Sequence, residues 1–189
     1  MKIKLIILFT TLFIIGCKEN HKDTFYTFLN DNFLTIVDTI AYKTGRIIQI
    51  PNDAASDLKF NNFCIEIDTA LSISTYLSKS IAIALNKEHL TEFEALFLAG
   101  SNQNIDTLDL SRLTKTGKYK LYTHEKIKDC IGFKIDCIIT FHRPYISSSK
   151  AIIPLTIIES KKGGYSKFYL FEKQNGIWKK IKEEITIRY

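Results

Sequence analysis

The last third of the chain constrains its fold most, because four long β-type runs follow one another there. Ile, Phe, Tyr and Thr recur in these runs, and the segments between them carry Pro, Ser, Gly and Asn, which favour turns. The final connection contains Asn175-Gly176, a pair that tolerates the positive φ angles of a two-residue hairpin. The pattern predicts antiparallel strands over 136–143, 151–159, 165–173 and 177–188.

The last of these runs alternates in polarity along its length. Its isoleucines are expected on one face, directed to the core, and its mostly charged residues on the other; the isoleucines are Ile177, Ile181, Ile185 and Ile187. Pro154 lies inside the second run and cannot donate to a sheet ladder. That strand is therefore expected at a sheet edge or with a bulge.

Upstream, helical spacing of aromatic and aliphatic residues predicts a first helix over 24–38. A second stripe from Ile73 favours a helix, although Ile81, Ile83 and Leu85 also fit a strand. Thr91-Glu92-Phe93-Glu94 has the form of a capping box, with Gly100 placed to end that helix. Strands are predicted over 63–68 and 119–122, and a hairpin over 39–50. The fold class is α+β: a curved antiparallel sheet of four to five strands, mainly from 117–188, packed against two or three helices. The helices near 24–38 and 91–99 are expected on one face.

The first sixteen residues have the composition of an export signal. Lys2 and Lys4 precede the apolar run Leu5–Ile15. This run is shorter than the roughly 20 residues of a membrane-spanning helix, but it fits a signal peptide, whose apolar region needs about 7–15. The expected organisation is a signal peptide over 1–16, a short polar tether over 17–23 and one globular domain over 24–189.

The segment Ile14-Ile15-Gly16-Cys17 resembles the lipobox of bacterial lipoproteins. The resemblance implies cleavage between Gly16 and Cys17, a diacylglycerol on the Cys17 thiol and a fatty acyl chain such as palmitate on the new amine. Several acyl chains together anchor a protein stably. The expected location is the cell envelope, at the outer membrane, facing the periplasm or the surface. The alternative is an ordinary signal peptide with an accidental cysteine.

A second resemblance covers roughly residues 85–185. The Thr-Glu-x-Glu helix, His142-Arg143-Pro144 after a strand, and the stretch from Phe168 to Lys179 are similar to uncharacterised lipoproteins of Bacteroidetes-type bacteria. Lys18-Glu19 also resembles surface-export signals of such lipoproteins. That group brings no established activity, so the resemblance implies fold and location alone.

Charge argues against a nucleic-acid partner. The net charge is +6, and removal of 1–16, with two lysines and no acids, leaves +4, spread along the chain. The expected partners are therefore the membrane, through the lipid, and an envelope protein, peptide or glycan.

Beyond Cys17 the chain has three cysteines, Cys64, Cys130 and Cys137. An oxidising envelope permits one disulfide, and Cys130–Cys137 closes the smallest loop. The competing interpretation is that all three are buried and behave as small apolar side chains.

No nucleophile elbow, zinc helix or complete phosphate loop occurs in the sequence, and no cofactor or metal is expected. The best enzyme hypothesis pairs Cys137 with His142 or His124, with Glu66 or Asp68 orienting the imidazole. Cys137 and His142 are five residues apart on one predicted strand, however, and so should point to opposite faces.

Four aromatic residues form a candidate binding platform for sugar or peptide; they are Tyr165, Tyr169, Phe171 and Trp178. They could equally form the hydrophobic face of the sheet beneath the helices. The sequence thus favours a non-catalytic, lipid-anchored binding module. The alternatives are an envelope hydrolase with a Cys/His site and an immunity-like lipoprotein that neutralises a toxin.

Overall fold

The computed structural model describes residues 21–45, 63–100, 106–117, 119–129, 133–160 and 163–188. These residues form an α+β fold, which confirms the predicted class. Its helices are α1 (His21–Gly45), α2 (Thr75–Lys87) and α3 (Thr91–Leu98). Its strands are β1 (Phe63–Asp68), β2 (Tyr119–Tyr122), β3 (Phe133–Phe141), β4 (Tyr145–Ile146), β5 (Lys150–Ser160), β6 (Gly163–Gln174) and β7 (Ile177–Arg188). Short 3-10 turns lie at Leu110–Arg112 and His124–Asp129.

The strands form one open sheet in the order β2-β1-β3-β5-β6-β7, and β4 also pairs with β5. β1 runs parallel to β2 and β3, whereas the other pairs are antiparallel. The predicted antiparallel sheet of four to five strands is therefore too small, and the sheet is mixed. The parallel pairing could not be predicted from the sequence because it joins segments that are distant in the chain.

The helices cover opposite faces of the sheet. Along β5, Ala151, Ile153, Leu155 and Ile157 belong to the cluster beneath α1, whereas Ile152 belongs to the cluster beneath α2 and α3. Alternate side chains of a strand point to opposite faces, so the domain has three layers. The expectation that the first helix and α3 share one face was wrong.

Helix α1 is held by a continuous apolar stripe. Phe25, Phe28, Leu29, Phe33 and Ile36 are each no more than 1% exposed and lie at positions i, i+3, i+4, i+8 and i+11, which is one side of a helix. The helix continues to Gly45. The hairpin predicted over 39–50 is therefore wrong in its first half, and its second half, 46–50, lies outside the described residues.

Helices α2 and α3 join through a tight turn rather than through the predicted capping box. Ser74 caps α2 by accepting a hydrogen bond from Leu77 N–H at 3.1 Å. His89 adopts a φ of 54°, and Leu90 occupies the N-cap position of α3 without a side-chain bond. Because the turn leads directly into the helix, Thr91 is its first helical residue instead of its cap.

The β6–β7 hairpin confirms the strongest turn signal in the sequence. Asn175 has a φ of 52° and Gly176 a φ of 82°, and Gln174 pairs with Ile177 across the turn. The ladder then shifts register twice along β7, the edge strand of the sheet.

These shifts redistribute the isoleucines of β7. Ser166 pairs with Ile187, whereas Lys167 pairs with Ile185, so Ile185 and Ile187 lie on different faces. Ile177, Ile181 and Ile185 are 66%, 45% and 40% exposed, and Ile187 packs against the α2–α3 cluster. The expectation that all four isoleucines share a core face was wrong, because a bulge inverts the alternation that follows it.

Pro154 lies in β5, a central strand, and not at an edge. Phe141 pairs with Leu155 and Tyr145 pairs with Ile152, so Pro154 faces the break between β3 and β4. His142 donates its backbone N–H to the Pro154 carbonyl at 2.9 Å. A residue that cannot donate is accommodated where the neighbouring strand is interrupted.

Candidate functional site

The structure places most of the predicted aromatic platform in the core. Tyr169 and Phe171 are fully buried and Tyr165 is 8% exposed, all in the cluster beneath α1. Trp178 is half-buried against the same cluster. The four rings therefore do not form an accessible platform, and their arrangement matches the hydrophobic face beneath a helix that the sequence also allowed.

Trp178 alone among them reaches the surface, and its ring is held from below. It packs edge-on against Phe28 with ring centroids 5.0 Å apart, and Phe28 packs edge-on against Phe171 at 5.1 Å. The Lys173 ammonium lies 5.7 Å from the centroid of the indole. The indole is therefore fixed in orientation by the core.

Trp178 lines a depression of about 330 Å³ between α1 and the β6–β7 turn, together with Asp31, Asn32, Gly176 and Ile177. Gly176 in the turn leaves this space open, because a Cβ added there would have no atom within 4 Å. Ile177 is 66% exposed. The depression thus has an apolar wall from β7 and a polar wall from α1.

The polar wall carries one carboxamide and one carboxylate. Asn32 is only 4% exposed and donates its side-chain N–H to the Phe28 carbonyl at 2.9 Å. Within the described part of the chain, no donor meets its Oδ1. Asp31 is held at 2.6 Å by the Lys115 ammonium. Neither residue was predicted from the sequence, since neither belongs to a motif and only the tertiary fold brings α1 to the hairpin.

A second polar cluster crosses the opposite face of the sheet. Asp68, Thr140, Thr156 and Ser166 stand opposite one another on β1, β3, β5 and β6. Thr140 donates to Asp68 Oδ2 at 3.3 Å, and the hydroxyls of Thr156 and Ser166 are 2.7 Å apart. We call these four side chains the polar row.

His142 extends the polar row and sets the direction of its hydrogen bonds. Its Nδ1 contacts the Ser72 carbonyl, and its Nε2 lies 2.8 Å from Thr156 Oγ1. Burial lowers the pKa of His142, although the Ser72 carbonyl and the charge of Asp68 raise it in part. In the neutral ring Nδ1 must donate to the carbonyl, so Nε2 accepts from Thr156, and Thr156 accepts from Ser166. This chain occupies both nitrogens of His142.

The other predicted histidine meets one of its predicted partners. His124 Nδ1 lies 2.7 Å from Glu66 Oε1. The Glu66 side chain is 9% exposed and that of His124 is 88% exposed. A buried carboxylate thus orients an accessible imidazole, which is half of a catalytic arrangement.

The cysteines differ from the sequence expectation in one respect. Cys64 is disulfide-bonded, so it is neither a free apolar thiol nor a nucleophile. Cys17 and Cys130 lie outside the described residues, as does the side chain of Cys137, so the Cys130–Cys137 pairing stays a prediction. Within one chain it would require Cys64 to bond Cys17, whereas a lipid on the Cys17 thiol would leave Cys130 or Cys137 as the partner of Cys64. In the described ranges, no group of three or more His, Cys, Asp or Glu residues is placed to hold a metal ion, and no described helix is long and apolar enough to span a membrane.

Comparison with known proteins gives no family. No family model matches the sequence, and no curated protein matches it. Among solved structures, a homologue of the neuraminyllactose-binding hemagglutinin from Helicobacter pylori aligns over 74% of this chain and 71% of its own, with 13% identity and a TM-score of 0.15. A TM-score this low carries no argument about fold or function.

Proposed function

We propose that this protein is a lipid-anchored component of the cell envelope whose domain binds a partner without catalysing a reaction. The segment Ile14–Cys17, behind its apolar run, supports the anchor. The observation that carries the binding role is the depression at Trp178. A rigid half-buried indole beside a carboxamide and a carboxylate has the mixed apolar and polar character of ligand sites.

The position of α1 fits this role. His21 begins α1 four residues after Cys17, and four extended residues span at most about 14 Å. Asp31 lies ten residues further along α1, which is about 15 Å of helix. The depression is therefore within reach of other molecules anchored at the same membrane.

The anchor is tested by Cys17→Ser, with Lys18→Ala as the matched control. Only Cys17→Ser should lose labelling by a fatty-acid analogue and move from the membrane to the soluble fraction. Membrane retention of the serine variant would contradict the lipid anchor.

The binding role is tested by cross-linking in intact cells. Trp178→Ala should abolish capture of the partner, whereas Tyr76→Ala, which removes an aromatic side chain 66% exposed on α2, should not. Equal capture by both variants would contradict a role of the depression.

The pair Glu66 and His124 supports a second candidate, an envelope hydrolase with His124 as general base. Ester hydrolysis by the purified domain should then fall about 100-fold in His124→Gln and stay unchanged in His89→Gln, a matched exposed histidine. Absence of hydrolysis, or equal loss in both variants, would remove this candidate.

A further inference from the structure

We infer that the depression at Trp178 is a saccharide site that takes one or two rings of a neutral hexose or N-acetylhexosamine. This inference rests on the proposed binding function and names its ligand class. Three features carry it: the fixed indole, the acceptors on α1 and the balance of charges around them.

The indole supplies the surface for the apolar face of a sugar ring. Aromatic faces are electron-rich and attract polarised hydrogens, and the axial C–H groups of a pyranose present such hydrogens on one side. Phe28 fixes the indole from the core at 5.0 Å. The ring therefore loses little freedom on binding, which favours affinity, but a sugar that stacks on it must displace the Lys173 ammonium, which lies over the ring at 5.7 Å.

The α1 wall supplies acceptors for hydroxyl groups. Asn32 Oδ1 belongs to a side chain that is 4% exposed, and no donor in the described part of the chain satisfies it. Asn32 Oδ1 reaches solvent, since among the described residues Arg143 Nε alone is a buried side-chain atom without a hydrogen-bond partner; a ligand hydroxyl can therefore donate to it. The Asp31 carboxylate, fixed by Lys115 at 2.6 Å, can accept a second hydroxyl.

The charges argue against a cationic ligand. Lys115 already neutralises Asp31, and the Lys173 ammonium lies 5.7 Å from the indole centroid. An ammonium ligand would meet the Lys173 ammonium over the same ring, whereas recognition of such ligands uses cages of several aromatic rings. A neutral, hydroxyl-rich ligand meets no such repulsion.

The size of the depression limits the ligand. Its volume of about 330 Å³ is at the low end of small-molecule sites, which run from about 300 to 1,000 Å³. The hairpin turn borders open space at Gly176, so a longer glycan can continue into solvent beyond the bound ring.

Trp178 is the only tryptophan in the chain, so its fluorescence reports on this site directly. We would titrate the folded domain with glucose, galactose, mannose, N-acetylglucosamine and cellobiose, each to 100 mM. At least one should shift the emission in a saturable way. No saturable shift from any of the five would overturn the inference.

The matched variants are Asp31→Asn and Asp23→Asn. Both remove the charge of an α1 aspartate that is ion-paired at 2.6 Å, to Lys115 and Arg112 respectively, but only Asp31 lines the depression. Asp31→Asn should weaken the binding of the active sugar about 10-fold, and Asn32→Leu should weaken it at least as much. Asp23→Asn should bind normally. Equal weakening by both aspartate variants would show an indirect effect and overturn the inference.

The experiments separate a wrong saccharide inference from a wrong proposed binding function. If no sugar shifts the fluorescence but Trp178→Ala still abolishes cross-linking to a protein partner, the saccharide inference is wrong and the binding function stands. If Trp178→Ala also leaves cross-linking intact, both are wrong.

Discussion

The two faces of the sheet are built differently. Beneath α1 lies one continuous aromatic and aliphatic cluster, and its buried charge, Lys167, is bonded to Glu183 at 2.7 Å. Beneath α2 and α3 lies a smaller cluster, and beside it the polar row and His142 occupy the same face. The α1 face thus relies mainly on apolar burial, and the other face combines burial with hydrogen bonds.

This difference determines which perturbations each face tolerates. Apolar burial responds to the volume of a side chain, whereas a hydrogen-bonded chain responds to the loss of a single donor or to a change of protonation. Substitutions matched across the two faces can therefore test the comparison.

The largest effect is expected from Phe28→Ala. Phe28 is 1% exposed and packs against both Phe171 and Trp178, so its removal should lower the free energy of unfolding by about 3–5 kcal/mol. Phe93→Ala, in the smaller cluster, should cost less because Phe93 is 4% exposed near the end of a short helix. Urea unfolding measures the loss for both variants, and a larger loss for Phe93→Ala would contradict the expected difference between the two faces.

A substitution in the sheet itself should disturb both faces. A Cβ on Gly164 would lie 2.3 Å from the Ile157 carbonyl oxygen, so Gly164→Ala must move the backbone and should cost about 2–3 kcal/mol. Gly100→Ala is the control, because it has open space and only a positive φ of 82°, which costs about 1–2 kcal/mol. Equal losses of the free energy of unfolding in urea would show that the backbone accommodates a Cβ at Gly164 without strain.

The polar row is tested by Thr156→Val, which keeps the shape but removes the hydroxyl between His142 and Ser166. We expect a loss of about 1–2 kcal/mol, because one donor and one acceptor lose their bonds. Thr140→Val removes only a 3.3 Å bond to exposed Asp68 and should cost about 0.5 kcal/mol or less. If the two variants are equally stable, the row contributes little.

The smallest effect is a pH dependence. Since burial lowers the pKa of His142 from 6.5, the folded state prefers the neutral ring. Above the pKa that His142 has in the unfolded state, its ring is neutral in both states and does not change the free energy of unfolding with pH. As pH falls below it, the unfolded state binds the proton first, and stability is lost until the folded pKa is passed. His142→Gln should reduce this acid loss, measured by thermal unfolding between pH 7 and 5, and His89→Gln should retain it.

The local part of the fold was predictable from the sequence. The hairpin at Asn175-Gly176 follows from residues that tolerate positive φ, and β1 and β7 begin and end where their composition predicts. The parallel pairing of β1 was not predictable, because it depends on segments far apart in the chain. The faces of β7 were mispredicted, because two register shifts invert an alternation that looks regular in the sequence.

The candidate site was predictable only in part. Trp178 was identified by its ring, and the pairing of an acid with a histidine was anticipated for Glu66 and His124. Asn32 and Asp31 carry no signal in the sequence, since a polar residue on a helix is ordinary until another element packs beside it. The polar row likewise depends on the register of four strands.

The edge strand β7 has a consequence for association between copies of this chain. A twelve-residue edge strand presents unpaired backbone groups and invites pairing between copies. Its two register shifts break the straight row of backbone groups, and Lys179, Lys180 and Lys182 place charged side chains along it. These features discourage strand-to-strand aggregation, so neighbouring copies can stay separate while Ile177 and Ile181 remain exposed.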